Sequence, residues 1–273
     1  MANTPEFLAA RTPRILWVEL TSKCPFDCIF CSRQVRRGAG GHLPFTVYSS
    51  LLNSLVDPRK FILNYSGEST VYPDLIPAIQ QAHATGAFVE MVSVMATVPE
   101  SLLGPLSQSG LNRLTVSVHA TDPEKFAEVY RYSTFDTLRS RLERFIELCR
   151  AAPGPNGNPP VVDLAFVAMD TNMTQLSSVA SLASALGLHD ITIFPVMRRD
   201  EIRAQFTGEL APSGVHRPEF EKRVQAVVKA TAQSHGDSLN RLQRIVHGRR
   251  PRPRRGAGSI PAGTPPRRLH TLV

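Results

Sequence analysis

Three cysteines stand together on the short run Cys24-Pro25-Phe26-Asp27-Cys28-Ile29-Phe30-Cys31. Thiolates separated by three and then by two residues can wrap one corner of a cube, an arrangement that suits three irons of a 4Fe-4S cluster. The fourth iron has no cysteine nearby, so it is left open to a substrate or cofactor. A structural zinc site fits less well, because it closes with four ligands and would need Cys149 or a histidine such as His42 to join. Disulfides fit worse still. Four cysteines in 273 residues, three of them crowded and with no leader-like stretch at Met1–Ala10, describe a reducing compartment. Cys149 falls on the apolar stripe Leu142, Phe145, Ile146, Cys149 of a predicted helix and reads as a buried, inert thiol.

The elements that must position this loop follow from periodicity. Short β-rich runs at 15–20, 61–64, 88–94, 114–118, 161–167 and 191–194 alternate with helix-length amphipathic segments, the pattern of a parallel α/β sheet. Asp122 before Pro123 predicts a helix N-cap followed by proline at the first helical position, and Gly86 and Gly187 predict helix stops. A parallel barrel collects its active site at the carboxyl ends of its strands. Cys24 to Cys31 follow the first strand, Gly67 and Glu68 end the second, Ser117 and His119 the fourth, and Asp170 and Asn172 the fifth. Four separate stretches of sequence therefore converge on one face, the strongest independent sign of a catalytic site.

The cysteine run, with its aromatic Phe30 before the last cysteine, resembles the cluster motif of the radical S-adenosylmethionine (SAM) enzymes. Further residues carry the resemblance. Tyr65-Ser66-Gly67-Glu68-Ser69 is similar to the Gly-Gly-Glu turn that holds the methionyl amine of the cofactor, with Ser66 replacing the first glycine. Leu114-Thr115-Val116-Ser117-Val118-His119-Ala120 is similar to the fourth strand, whose terminal serine reaches the cofactor. Val167-Ala168-Met169-Asp170-Thr171-Asn172 and Ile191-Thr192-Ile193-Phe194-Pro195-Val196 resemble the strand ends that line the adenine. The likeness spans about residues 14 to 200 and points toward the peptide-modifying and molybdenum-cofactor-synthesis-like members.

The resemblance implies a partial TIM-type (β/α)6 barrel, a 4Fe-4S cluster held by Cys24, Cys28 and Cys31, and a SAM site formed by Phe30, Gly67, Glu68, Ser117, Asn172 and Phe194. It implies reductive cleavage of SAM to methionine and a 5′-deoxyadenosyl radical, which takes a hydrogen atom from a peptide or small-metabolite substrate. An electron donor such as flavodoxin or ferredoxin is implied as partner. Plainer readings stand beside these roles: a solvated turn carboxylate for Glu68, a local hydrogen bond for Ser117, a satisfied structural group for His119, a solvated charge for Arg131 and a helix start for Asn172. Tyr65 and Met197 to Arg199 are placed near the mouth, where they meet substrate. Two alternatives remain: an RNA-methylating relative, suggested by Ser117-Val118-His119-Ala120, and a non-catalytic iron-sulfur or zinc protein, or a truncated one, that keeps the fold.

Charge and length set the remaining expectations. The formal charge is +8, but residues 249–273 hold seven arginines and no acid, so the rest of the chain is close to neutral. The basicity belongs to a Pro/Arg/Gly-rich tail predicted to be disordered rather than to a nucleic-acid-binding face. No apolar run approaches the ~18 residues of a membrane span, and a cytoplasmic location is expected. The predicted organisation is an N-terminal extension at 1–13, a core domain at 14–248, and the tail. No cysteine follows Cys149 to hold an auxiliary cluster, and organised sequence ends after helical runs at 219–233 and 238–246.

Overall fold

Alternating residues on six strands divide the sheet into two faces of opposite character. The structure, a computed structural model, describes residues 12–31, 33, 39–132, 134–155, 157–188 and 190–196, with scattered positions between 222 and 233. The expected mouth residues 197–199, the helical run 238–246 and the tail 249–273 lie outside the described residues.

The strands are β1 (Ile15–Trp17), β2 (Lys60–Ile62), β3 (Phe88–Ser93), β4 (Arg113–Ser117), β5 (Val161–Ala168) and β6 (Ile191–Pro195). All pair in parallel, in the order β1-β2-β3-β4-β5-β6. The connections carry α1 (Phe45–Asn53), α2 (Leu75–Ala84), α3 (Glu100–Ser107), α4 (Pro123–Tyr130), α5 (Phe135–Ala151) and α6 (Leu176–Ala185), with 3-10 turns at Ser69–Val71 and Met173–Gln175. This is the parallel α/β sheet that the periodicity predicts, in the open, partial (β/α)6 form that the resemblance implies. The first apolar run, expected over 15–20, pairs as a strand only to Trp17 because its neighbour β2 is equally short. Beyond it, the Val18 N–H still reaches the Ile62 carbonyl.

Successive strand residues point to opposite faces. Phe61, Val89, Met91, Leu114, Val116, Phe166 and Ile193 are buried on the outer face, where the apolar stripes of the helices cover them. Each helix spends its own stripe on that contact: α5 does so with Leu138, Leu142, Phe145, Ile146 and Cys149. Burial of one such side chain stabilises by about 1.5–3 kcal/mol. The punctuation behaves as read. The Asp122 carboxylate accepts from the Lys125 N–H at 2.8 Å, with Pro123 following, and Gly86 and Gly187 adopt φ of 79° and 68°, the left-handed region open to glycine.

Candidate active site

The loop after β1 is held on both flanks before any ligand is considered. Its entry forms a short antiparallel contact at Thr21 and His42, with the Ser22 N–H on the Gly41 carbonyl at 2.9 Å. Its middle rests on the end of α4: the Asp27 and Ile29 N–H groups donate to the Tyr130 and Val129 carbonyls at 3.2 and 3.0 Å. These are among the carbonyls that a helix leaves without intrahelical partners, so loop and helix end satisfy each other. Phe26 seals the contact edge-on against Tyr130 and Tyr132, and Arg131, in the left-handed conformation at the helix end, pairs with Asp27 at 3.2 Å. Arg131 therefore pairs across to the loop while staying half exposed, close to the solvated charge that the sequence suggests.

Cys24, Cys28 and Cys31 line one cavity of about 520 Å³ that opens at the carboxyl ends of the strands. All three are free thiols. Burial pushes the Cys24 thiol up to about 11, and burial followed by the neighbouring Cys31 and Cys24 sulfurs raises Cys28 well above its ordinary range. Among the described residues, no three His, Cys, Asp or Glu side chains converge tightly enough for a single metal ion. Thiolates on one zinc, with bonds of about 2.3 Å, would have to lie within about 4 Å of each other. A cluster spreads its ligands over separate irons, so its sulfurs need not meet on one ion.

The turn after β2 is stitched to this loop. The Glu68 N–H donates to the Lys23 carbonyl at 3.0 Å, and a Cβ on Gly67 would sit 2.0 Å from the Thr21 carbonyl oxygen and 2.8 Å from that of Lys23. Glycine is thus required at 67 for packing against the cluster loop. Ser66, standing where the motif has glycine, donates its N–H to Glu19 at 2.9 Å, and its hydroxyl bonds the same carboxylate oxygen. Glu68 is 4% exposed, which excludes a solvated turn carboxylate. Its two oxygens accept from the Thr70 N–H and hydroxyl at 3.2 and 2.8 Å and from the Val94 N–H at 2.9 Å. A carboxylate offers about four acceptor positions, so one remains for a ligand ammonium.

Opposite stands the end of β4. Ser117 and His119 line the cavity with Phe30, whose ring meets His119 edge-on at 4.8 Å. His119 stacks on Tyr130 at 5.2 Å, accepts the Val167 N–H at Nδ1, and is pushed down to about 3 by burial, so it is neutral and structural, as the plainer reading has it. Tyr130 completes the join, its hydroxyl donating to the Ser117 carbonyl at 2.7 Å and accepting the His119 N–H at 3.2 Å. Phe194 and Tyr65 line the same cavity and are exposed. Asn172 departs from expectation. Its side chain is wholly buried and absent from the cavity wall, its oxygen accepting from Met169 N–H and its amide donating to the His119 and Val167 carbonyls. With these bonds it ties the ends of β4 and β5 together, and its side chain makes no cap bond to the following turn.

Deeper in the cavity the sheet's inner face carries charges that sequence reasoning missed. Lys60 pairs with Glu90 at 2.8 Å and Arg113 with Asp163 at 3.3 Å, so four adjacent strands contribute one charged belt. Asp163 is 3% exposed, and burial raises its pKa against the opposing pull of a Thr115 hydrogen bond and the Arg113 charge. An acid inside the apolar run Val161-Val162-Asp163-Leu164-Ala165-Phe166 was the available signal, since a strand covered on both faces reads as continuously apolar.

A family model described as the Radical SAM superfamily matches residues 18–170, more than half of the chain. The chain belongs to that superfamily. Radical SAM proteins bind a 4Fe-4S cluster and SAM. Among relatives, a probable GTP 3′,8-cyclase of Sulfurisphaera tokodaii is 26% identical over 185 residues, covering 66% of this chain and 56% of that protein. A PqqA peptide cyclase of Xanthomonas axonopodis pv. citri is 27% identical over 144 residues, covering 52% and 38%. The crystal structure of Streptococcus suis SuiB bound to S-adenosylmethionine superposes with a TM-score of 0.61 at 13% identity, over 84% of this chain and 50% of that one. That likeness speaks to the fold. The chain spans about half the length of these relatives.

Proposed function

We propose that this chain is a radical SAM enzyme acting on a polar peptide or small metabolite. The observation that carries the reading is the meeting of three cysteine thiols, the Gly67-Glu68 turn and the Ser117 strand end on one cavity that continues to a charged belt. Cys24, Cys28 and Cys31 would hold the 4Fe-4S cluster, and the Gly67-Glu68 turn and Ser117 would hold SAM beside it. When bound, the reduced cluster and SAM supply the electron transfer that yields methionine and a 5′-deoxyadenosyl radical, the chemistry that a protein side chain cannot provide.

This chain's own residues bind, orient and exclude water. Glu68 takes the ammonium at its remaining acceptor position, a charge-assisted contact, while Phe30, Ser117 and Phe194 form the walls around the nucleoside. The Lys60, Glu90, Arg113 and Asp163 belt favours a substrate with polar groups, because an apolar one would displace water from these partly exposed ion pairs and put no hydrogen bonds in its place. The GTP and peptide cyclases among the relatives support such a substrate class. A reductant of the flavodoxin or ferredoxin type, a cytoplasmic setting, a core at 14–248 and a separate tail at 249–273 belong to the same proposal. No helix among the described residues is long and apolar enough to cross a membrane.

Anaerobic reconstitution with iron and sulfide, followed by electron paramagnetic resonance of the reduced protein with and without SAM, tests the reading. A 4Fe-4S signal that changes on adding SAM, with 5′-deoxyadenosine formed on reduction, is expected. Bound zinc, or no cluster, overturns it.

A further inference from the structure

Arg33 lies two residues beyond the last cysteine, outside the spaced motif, yet its side chain turns back across the loop. Its Nε donates to the Ser22 carbonyl at 3.0 Å and its Nη1 to the Cys24 carbonyl at 3.2 Å, while its own N–H meets the Cys31 sulfur at 3.4 Å. One residue thus bonds the backbone of the first cysteine and the sulfur of the third, closing the eight-residue run into a ring. A planar guanidinium suits two diverging carbonyls and keeps its charge in any surroundings.

The charges around the loop make that cation matter. Arg33 sets its guanidinium against the Cys24 carbonyl, while Glu68 lines the same cavity as the three cysteines. Arg131 is engaged by Asp27 on the far flank. A cluster held by three thiolates carries net negative charge, and reduction adds one more. A fixed cation beside it therefore stabilises the reduced form more than the oxidised form, and sulfur-directed N–H bonds act in the same sense.

We infer that Arg33 is a tuning residue of the cluster: its charge raises the reduction potential of the bound 4Fe-4S centre, and its two carbonyl bonds hold the loop in the shape that receives it. This inference rests on the proposed cluster reading. It assigns to this chain a device that the cysteine spacing does not contain.

The test is a redox titration of the reconstituted full chain, read by electron paramagnetic resonance without SAM, for wild type, Arg33→Gln and Arg33→Lys, with iron counted in each. In Arg33→Gln the potential becomes more negative. Poised at the wild-type midpoint, its ratio of reduced to oxidised cluster falls about tenfold, or about 59 mV for one electron. Arg33→Lys, which keeps the charge and loses the fork, recovers at least half of that shift. Arg33→Gln without iron beside Arg33→Lys with a near-wild-type potential supports the same conclusion. Equal potentials in wild type and Arg33→Gln overturn it, as does loss of iron from both variants, which would make the fork alone decisive. Absence of a cluster from wild type would instead remove the proposed function itself.

Discussion

The outer face of the sheet, with Phe61, Met91, Leu114, Val116 and Phe166, is closed by helices, whereas the inner face, with Lys60, Glu90, Arg113, Thr115 and Asp163, lines a cavity. The same six strands carry both, in alternation. Stability is thereby concentrated on one side of the backbone, and the other side is released from the demand to be apolar. Residues on the inner face can be chosen for binding because the helices behind the sheet already supply the burial that folding needs.

That division is broken most sharply by exchanging which face a substitution strikes. Cys28→Ser, at the mouth, should lower 5′-deoxyadenosine formation by at least a thousandfold, about 4 kcal/mol of activation free energy. Thermal unfolding of the cluster-free protein should barely change, and a collapse in that melt would refute the division. Phe166→Ala, on the outer face, should cost about 3–5 kcal/mol in urea unfolding by leaving a cavity. Iron uptake of the fraction still folded should match wild type.

The third prediction sharpens the boundary at His119, an inner-face residue buried enough to behave as core. Its folded pKa, near 3, lies below the ordinary value of 6.5, so the unfolded chain binds the proton first as pH falls. Stability present above pH 6.5 is lost progressively on acidification toward 3, by about 2 kcal/mol between pH 7 and 5. Urea titrations at both values should show that loss in wild type, and His119→Gln should remove most of it. Asp163 has the opposite sign: an acid raised by burial weakens the fold as pH climbs from its ordinary value through the raised one. The smallest effect is expected from Phe194→Ala, whose exposed ring should contribute under about 0.5 kcal/mol to stability in the same assay.

The strands were legible because the outer face repeats every second residue through local sequence, and the motif ends were legible because each falls where a predicted strand stops. What escaped depends on side chains that reach across the chain. Arg33 finds Ser22, Tyr130 finds Ser117, and Asp163 finds Arg113. None of these pairs shares a helix or strand, so no period announces it. Gly67 is legible as part of the cofactor turn, but the Thr21 carbonyl that its missing Cβ admits is not. Asn172 was placed correctly at the end of β5, and only the direction of its amide decides that it serves the backbone.

Tyr130 gives the site a kinetic property. Its carbonyl receives the cluster loop and its hydroxyl holds the end of β4, so neither partner can open without disturbing the other. Segments joined in this way unfold locally as one unit. The amides of Asp27, Ile29 and His119 should therefore exchange with solvent deuterium at a common opening free energy, although nearly a hundred residues separate the loop from the strand. Tyr130→Phe, which keeps the carbonyl and drops the hydroxyl, should split that shared value into two.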